Sequence, residues 1–489
     1  MPLQRRNDAA STFRNLDWAT IAIYIIMVFA GMVSIYAASY DFDNASMLSF
    51  DEFSGKQLRW ILLSFGIGII LLLVDTRMYE TYAYPIYVVL VILLAITPVI
   101  APDIKGSHSW LKLGPVSLQP AEFAKFATAL ALAKLFSSYH FDLNAKASNY
   151  FRALIIIFIP IVLILLQNET GSALTFLALF FVLYREGMSG LVLFAALFSV
   201  VIFVVAIKYT ESTVMGMETG TFAVLLLIQA VMVGMTAIHA RCLETGRNLL
   251  LGFIAIGIIE TVLSLCGVGV PGLIINIAAI AAACIYAAIE AIRYRRPKLY
   301  VTCATALLAL TFLFSVGAVF DNLKYHQKLR IQVALGIVED LRNAGYNVNQ
   351  SKIAIGSGGF FGKGFLNGTQ TKLKYVPEQH TDFIFCTIGE EEGFVGSMLV
   401  TLLFLGIILR VLKIGERQPT TFGRVYAYCV ASYFIFHFCI NIGMVIGLCP
   451  VIGIPLPFFS YGGSSLWGFT ILLFILLKID ASRKNVLSY

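Results

Sequence analysis

Fourteen charge-poor, apolar stretches follow one another along this chain, and they constrain the fold more than any other feature. They lie near 18–39, 58–74, 81–101, 116–137, 153–168, 170–184, 188–207, 221–240, 248–267, 272–289, 299–319, 393–410, 425–447 and 463–478. A helix needs about 20 apolar residues to cross about 30 Å of hydrocarbon, so the expected fold is an all-α polytopic integral membrane protein. The break at Asn168-Glu169-Thr170-Gly171 is tight. The segments on either side are kept as two spans, because one unbroken helix would be too long for a single crossing. Only 13% of the 489 residues are charged, against about 25% in soluble domains. Together with a mean hydropathy of +0.84, that excludes a string of soluble domains, a disordered chain and a disulfide scaffold. The first run is long enough to span rather than be clipped as a signal peptide. Most of the eight cysteines sit in apolar runs and none is spaced as CxxC, so they read as buried small hydrophobes.

The net charge of +7 is informative through its placement. With Arg5, Arg6 and Arg14 inside, the inner loops are Asp75–Glu80, Ser138–Arg152, Arg185–Gly190, Arg241–Arg247, Glu290–Lys298 and Lys413–Arg424, with the tail carrying Lys478, Arg483 and Lys484. The acidic loop Asp41–Glu52 falls outside. This is the bias of the positive-inside rule and places both termini in the cytoplasm; it needs no nucleic acid to explain the basic excess.

One segment is neither a span nor a short connection. Asp321 to Asp382 is long, polar and extracytoplasmic on this topology. Its first part, Asn322–Asn343, carries Leu329, Val333, Ile337 and Leu341 at helical spacing and reads as an amphipathic surface helix. Its second part is punctuated by Gly356, Gly358, Gly359, Gly362, Gly364 and Gly368, which suits a flexible loop and a ligand-binding loop equally.

Ionisable residues within spans are costly and mark candidate sites. Glu122 and Lys125, three apart on one helix face, read either as a structural ion pair or as the charged floor of an outward cavity. Trp110 alone fits an interfacial belt. Glu169 either terminates its spans or adds an acid to the same cavity. His239 and His437 read as satisfied core histidines. No zinc-ligand spacing or Walker-type loop is present, so ATP-driven transport has no support. Asp382 stands where the polar loop becomes an apolar helix, as a cap residue or, with Pro377 and His380, at the mouth of an outward site. Pro455–Ser465, with two prolines and two glycines in an uncharged region, reads as a re-entrant or broken segment.

Several of these motifs together resemble one family. Ser351-Lys352-Ile353-Ala354-Ile355-Gly356-Ser357-Gly358-Gly359, Gly362-Lys363-Gly364, Gly368-Thr369-Gln370 and His380-Thr381-Asp382-Phe383 closely resemble the SEDS proteins. Gln119-Pro120-Ala121-Glu122-Phe123-Ala124-Lys125 is similar to the family's QPSE-x-x-K, and Pro455–Ser465 to its PLPxxSYGGSS. The GKGxxxGTQ form resembles the elongation branch rather than the division branch. The chain departs in two places. Fourteen spans exceed the family's ten by four, with the excess placed at 208–298, and Gln167–Gly171 stands where the family tends to have PDLG. The implied organisation is 1–207 N-terminal helices, 208–298 inserted helices, 299–320 a helix leading into the loop, 321–382 the large loop and 383–489 the C-terminal helices.

The resemblance implies a peptidoglycan glycosyltransferase that polymerises lipid II at the outer face of the cytoplasmic membrane, with undecaprenyl diphosphate as leaving group. It marks Asp382 as catalytic. Substrate-binding candidates are Trp110, Glu122, Lys125, Glu169, Lys363, Gln370, His380 and Ser460, with Lys363 and Lys125 as donors to the diphosphate. A divalent cation, Mg or Mn, would be an optional helper there. The implied partners are a class B penicillin-binding protein and the elongation machinery. The competing expectation is a lipid II flippase, for which intramembrane charges and a broken helix would also serve.

Overall fold

Each of the fourteen apolar stretches is a helix in the computed structural model, which describes residues 13–40, 52–338 and 345–483 except 105, 115, 268 and 270. The chain folds as two units, Met1–Met188 with Leu341–Tyr489, and Ser189–Asp340. The first unit opens with α1 (Trp18–Ser39), α2 (Phe53–Leu73), α3 (Ala83–Ile100), α4 (Pro120–Phe136), α5 (Ala147–Leu166) and α6 (Thr170–Arg185). The second holds α7 (Gly190–Lys208), α8 (Thr219–His239), α9 (Leu243–Leu265), α10 (Gly272–Arg293), α11 (Lys298–Asp321) and α12 (Tyr325–Ala334). The chain then returns to the first unit with α13 (Tyr346–Gly358), α14 (Thr369–Lys372), α15 (Ile384–Glu391), α16 (Gly393–Glu416), α17 (Thr421–Val445) and α18 (Gly463–Ala481). Among the described residues twelve helices are long and apolar enough to span; α4 and α6 are the shorter two of the fourteen. The protein is an all-α integral membrane protein.

Local chemistry sets the boundaries in the first unit. Asp17 caps α1 by accepting from the Thr20 amide at 3.0 Å. The span expected from 116 begins four residues later, because Pro120 is tolerated at the first helical position and not further in. Residues 116–118 pair instead as β2 with β1 (Leu111–Leu113) in a short antiparallel hairpin. The tight break before α6 turns at Asn168, whose φ of +59° suits asparagine better than most side chains. The core gathers around α4, α17 and α18, whose residues are largely buried. Gly468 lets α18 lie against α4, since a Cβ there would stand 2.9 Å from the Glu122 carbonyl.

One end of this unit collects the basic loops. Arg417 bridges Asp17 and Asp480, Arg410 also pairs with Asp17, and Arg424 pairs with Glu186 at 2.9 Å. Lys134 meets Glu80 at 3.1 Å, and the Asn144 amide donates to the Gly187 carbonyl. The loops expected on the inner side in this unit therefore share one end. The acidic loop Asp41–Glu52, except Glu52 itself, lies outside the described residues, as do Arg5, Arg6 and Lys484.

The second unit packs around Ile202, Val224, Ile228, Met232 and Ile280. Inside it lies a polar triad the sequence reading missed. The Asn276 amide donates to Glu260 at 2.9 and 3.1 Å, and the Gln229 amide donates to Asn276 at 2.7 Å. All three are buried.

Three expectations are corrected. Residues 208–298 hold three membrane-length helices rather than four, and the second unit extends beyond that interval at both ends because α7 and α11 pack on α8. The amphipathic helix expected over Asn322–Asn343 is only α12, since the chain turns at Gly336 (φ +71°); Leu341 lies outside the described residues. Only Cys386 and Cys429 are fully buried, while Cys266 and Cys439 are exposed on their helices.

Candidate active site

Asp382 lies in the turn just before α15, half-buried, and faces the irregular stretch between α17 and α18. That stretch is re-entrant, as its prolines and glycines suggest. The Phe458 ring packs edge-on at 5.1 Å from Tyr24 in α1, and a Cβ on Gly31 of α1 would stand 2.7 Å from the Phe459 α-carbon. Phe458 itself holds φ at +67°, a strained value for a bulky residue that surrounding packing must impose. Gly453, at φ +79°, faces the Asp382 carboxylate: a Cβ there would touch Oδ2 at 3.4 Å. A wall of main chain thus stands beside the carboxylate. His380 continues the same surface, its carbonyl accepting from the Tyr461 amide at 2.9 Å and its ring lying 4.3 Å from the Phe53 ring at a tilt of 31°.

The intramembrane pair is connected to this wall. Lys125 Nζ lies 2.9 Å from both Glu122 oxygens, 3.1 Å from His437 Nε2 and 4.5 Å from the centre of the Phe469 ring. His437 Nδ1 lies 3.1 Å from the Pro455 carbonyl and must donate to it, so Nε2 is the nitrogen that accepts from Lys125. One turn further along α17, the Asn441 amide donates to the carbonyls of Asp382 (2.9 Å) and Ile454 (2.8 Å). Lys125 is 1% exposed and its ammonium is turned to partners within the chain. The arrangement matches the structural-pair reading. Removing one member would leave a buried charge, which costs about 3–5 kcal/mol.

Lys363 is likewise engaged within the protein. Its ammonium meets Glu390 at 2.7 Å and the Thr369 hydroxyl at 2.7 Å. The amides of Gln370 and Thr371 donate to the same carboxylate at 2.9 Å each. Burial works against the Glu390 charge, but Lys363 and these two amides outweigh it and hold its carboxyl below the usual glutamate range. Its neighbour Glu391 behaves oppositely: burial, together with Glu392 and Glu390 beside it, pushes it up to about 7. Two glycines of this region have a packing role. Gly358 and Gly362 press directly on the main chain of Gly389 and Glu391, where any Cβ would collide. Gly362 leads into a short ladder in which the Lys363 and Gly364 amides bond the Glu390 and Glu391 carbonyls at 3.0 and 2.9 Å.

The remaining candidates fall around these features. Glu169 accepts from Ser107 and Ser109 at 2.8 and 3.0 Å, and Gly171 beside it approaches the Ile452 carbonyl so closely that a Cβ would stand 2.6 Å away. Glu169 therefore flanks the same re-entrant wall. Ser460 is buried and its hydroxyl accepts from the Leu456 amide at 2.8 Å, closing a turn within the wall. Gln370 contributes its backbone to Glu390, and Trp110 is half-buried at the start of the β1–β2 hairpin. Among the described residues no three His, Cys, Asp or Glu side chains converge as a cage for a metal ion. The sequence reading missed Asn441 and Gly453, and the pairing of Glu390 with Lys363. Asn441 had a signal: a polar amide four residues after His437, on the same helix face, in a stretch with no charge after Arg424.

Comparison with known proteins agrees with this architecture. The model of the cell cycle protein family of FtsW, RodA and SpoVE matches residues 17–217 and 272–485. The peptidoglycan glycosyltransferase RodA of Treponema pallidum is 28% identical over 475 residues, covering 96% of this chain and 98% of that protein. The peptidoglycan glycosyltransferase MrdB of Escherichia coli K12 is 28% identical over 430 residues, covering 88% and 86%. Among solved structures, one from a peptidoglycan synthase complex that coordinates polymerization and crosslinking superposes with a TM-score of 0.62 at 22% identity, covering 96% of this chain and 98% of that one. The rod shape determining protein RodA of Thermus thermophilus gives 0.51 at 21% identity, covering 96% and 97%. The family match omits 218–271, a narrower interval than the 208–298 expected to be extra.

Proposed function

The chain belongs to the FtsW, RodA and SpoVE family of cell cycle proteins, and from that premise we propose that it is a peptidoglycan glycosyltransferase of cell elongation. Its substrate is lipid II, polymerised at the outer face of the cytoplasmic membrane, with both termini cytoplasmic. The observation that carries the reading is the Asp382 carboxylate set against the main-chain wall at Gly453. Asp382 takes the proton of the acceptor sugar's 4-hydroxyl as its oxygen bonds to C1 of the donor glycan. The bond from C1 to the diphosphate oxygen breaks with inversion, and undecaprenyl diphosphate leaves with the electron pair. A diphosphate needs charge stabilisation rather than protonation to depart. Lys125 and Lys363, each bound to a buried glutamate, support the site's walls in this reading rather than meeting the diphosphate directly. Trp110, Glu169, Gln370, His380 and Ser460 line or brace the surfaces that receive the two glycans.

The flippase alternative asks for a polar path open to each side in turn. The Glu122–Lys125 pair, 3% and 1% exposed and satisfied by His437, has the geometry of a sealed contact. The synthase complex of similar fold joins polymerization to crosslinking, and by extension this chain works with a class B penicillin-binding protein that crosslinks its product. The inserted helices, expected at 208–298, belong to the second unit.

The test is polymerisation of lipid II by the purified full chain, with and without that partner. Asp382→Asn should lower the rate by about 10²-fold or more, the range of a lost general base, with thermal stability unchanged. Glycan formation near the wild-type rate would refute the assignment of Asp382.

A further inference from the structure

The re-entrant wall poses a satisfaction problem that α17 solves with two side chains one turn apart. Pro455 and Pro457 have no N–H, so this stretch cannot build a helix or ladder of its own. The Leu456 carbonyl takes amides from within the stretch, those of Phe459 and Ser460, whereas the Ile454 and Pro455 carbonyls take donors from α17. His437 supplies one to Pro455 and Asn441 supplies one to Ile454, the residue before it.

Asn441 does more than satisfy the wall. Its amide has two N–H groups, and the second is spent on the main-chain carbonyl of Asp382. One buried nitrogen therefore ties the carboxylate-bearing turn to the wall that faces it, one residue from Gly453. The orientation of the amide is forced, because a flip would point its oxygen at two carbonyl oxygens. Its own Oδ1 is buried and has no partner among the described residues. The site accepts that cost to keep both donors where they are.

We propose that Asn441 is the positioning residue of the reaction: by holding the Asp382 and Ile454 carbonyls on one nitrogen, it fixes the gap between the Asp382 carboxylate and the Gly453 wall into which the acceptor hydroxyl must fit. Asn441 touches no reacting atom and acts through Asp382. His437 fixes the next carbonyl and anchors the clamp to Lys125 and Glu122 in α4, so the intramembrane charge pair serves the same geometry. This rests on the reading of the chain as a glycan polymerase. A misplacement of about 1 Å in such a gap costs about 10²-fold in rate.

The experiment measures lipid II polymerisation by the purified full chain, resolved into kcat and KM, for wild type, Asp382→Asn, Asn441→Leu, Asn441→Asp and Asn441→Gln. Asn441→Leu removes both donors and Asn441→Asp replaces them with acceptors; each should lower kcat by about 10²-fold with KM for lipid II within about twofold. Asn441→Gln, which keeps an amide on a longer arm, should recover part of kcat. If Asn441→Leu does not fold, the Asp and Gln variants decide between them. Normal kcat in Asn441→Asp or Asn441→Leu, with Asp382→Asn inactive, overturns the clamp and leaves the polymerase reading standing. Equal loss in Asn441→Gln and Asn441→Leu, or a loss confined to KM, overturns the positioning role. A wild-type chain that makes no glycan under conditions that support its partner removes the polymerase reading and the clamp together.

Discussion

At one end of the first unit, Arg417 reaches both Asp17 and Asp480, and Arg424 grips Glu186. At the other, Gly362 lies flat on the Glu391 carbonyl and Gly453 faces Asp382. The first end is held by long charged side chains between helix termini, where guanidinium forks meet carboxylates. The second adds main-chain contacts at glycines to its own ion pair, Lys363 with Glu390, and uses short polar side chains where backbone has no partner. Long side chains tolerate adjustment by rotating; backbone contacts at glycines do not. The end that carries Asp382 and its wall relies more on the less forgiving contacts, and the end that gathers the loops relies on charge.

This contrast can be broken at three levels. The largest effect should come from Gly362→Val, which sets a branched side chain against Glu391 at a φ of +77°. Collision and backbone strain together should cost about 3 kcal/mol or more, read as a lower melting temperature in detergent and loss of polymerisation. Full stability in this variant would show that the Asp382 end is as adjustable as the other. Next, Arg417→Met removes a bridge from two buried carboxylates that keep Arg410, Gln418 and Arg483 as other donors. It should lower stability by about 1–3 kcal/mol while kcat per folded molecule stays within about twofold. A large fall in kcat would mean that the charged end reports directly on the site.

The smallest effect is in pH, and the two ends should respond with opposite sign. Burial disfavours the Asp17 charge, but Arg410 and the Thr20 amide outweigh it and hold the carboxyl down at about 2. Its contribution is present above about pH 4 and is lost as pH falls towards 2. Glu391 is pushed up to about 7, so the fold favours its protonated form; that contribution is present below about pH 4.5 and is lost as pH rises through 7. Hydrogen exchange read separately at the start of α1 and over 362–373 checks this: protection should fall in acid at the first and on approach to neutrality at the second. Parallel pH responses would remove the distinction.

Much of this architecture is legible in the sequence because hydrophobic length has a direct physical meaning in a bilayer. The basic loops of the first unit can be assigned to one side from their charge alone, because charge that cannot enter lipid has few places to go. Asp382 is legible as a carboxylate at the edge of an apolar helix. The glycines from 356 to 368 are not, since composition distinguishes neither flexible chain from ligand cradle nor either from backbone packed on backbone. Lys363 draws attention as a free cation, because its partner Glu390 lies 27 residues away, beyond any local spacing rule. Asn441 escapes notice because an amide in an apolar helix is less conspicuous than a charge, although here it joins two segments far apart in sequence.

The re-entrant stretch has a consequence for how the molecule is made. Asp382 is synthesised about 70 residues before Gly453, and well before α18, the helix that seats against α4. A chain still emerging from the ribosome carries the carboxylate but neither the wall that faces it nor the last helix that holds that wall in place. The gap between the carboxylate and its wall therefore closes late in synthesis, and a chain cut before Gly453 carries Asp382 without the backbone that faces it.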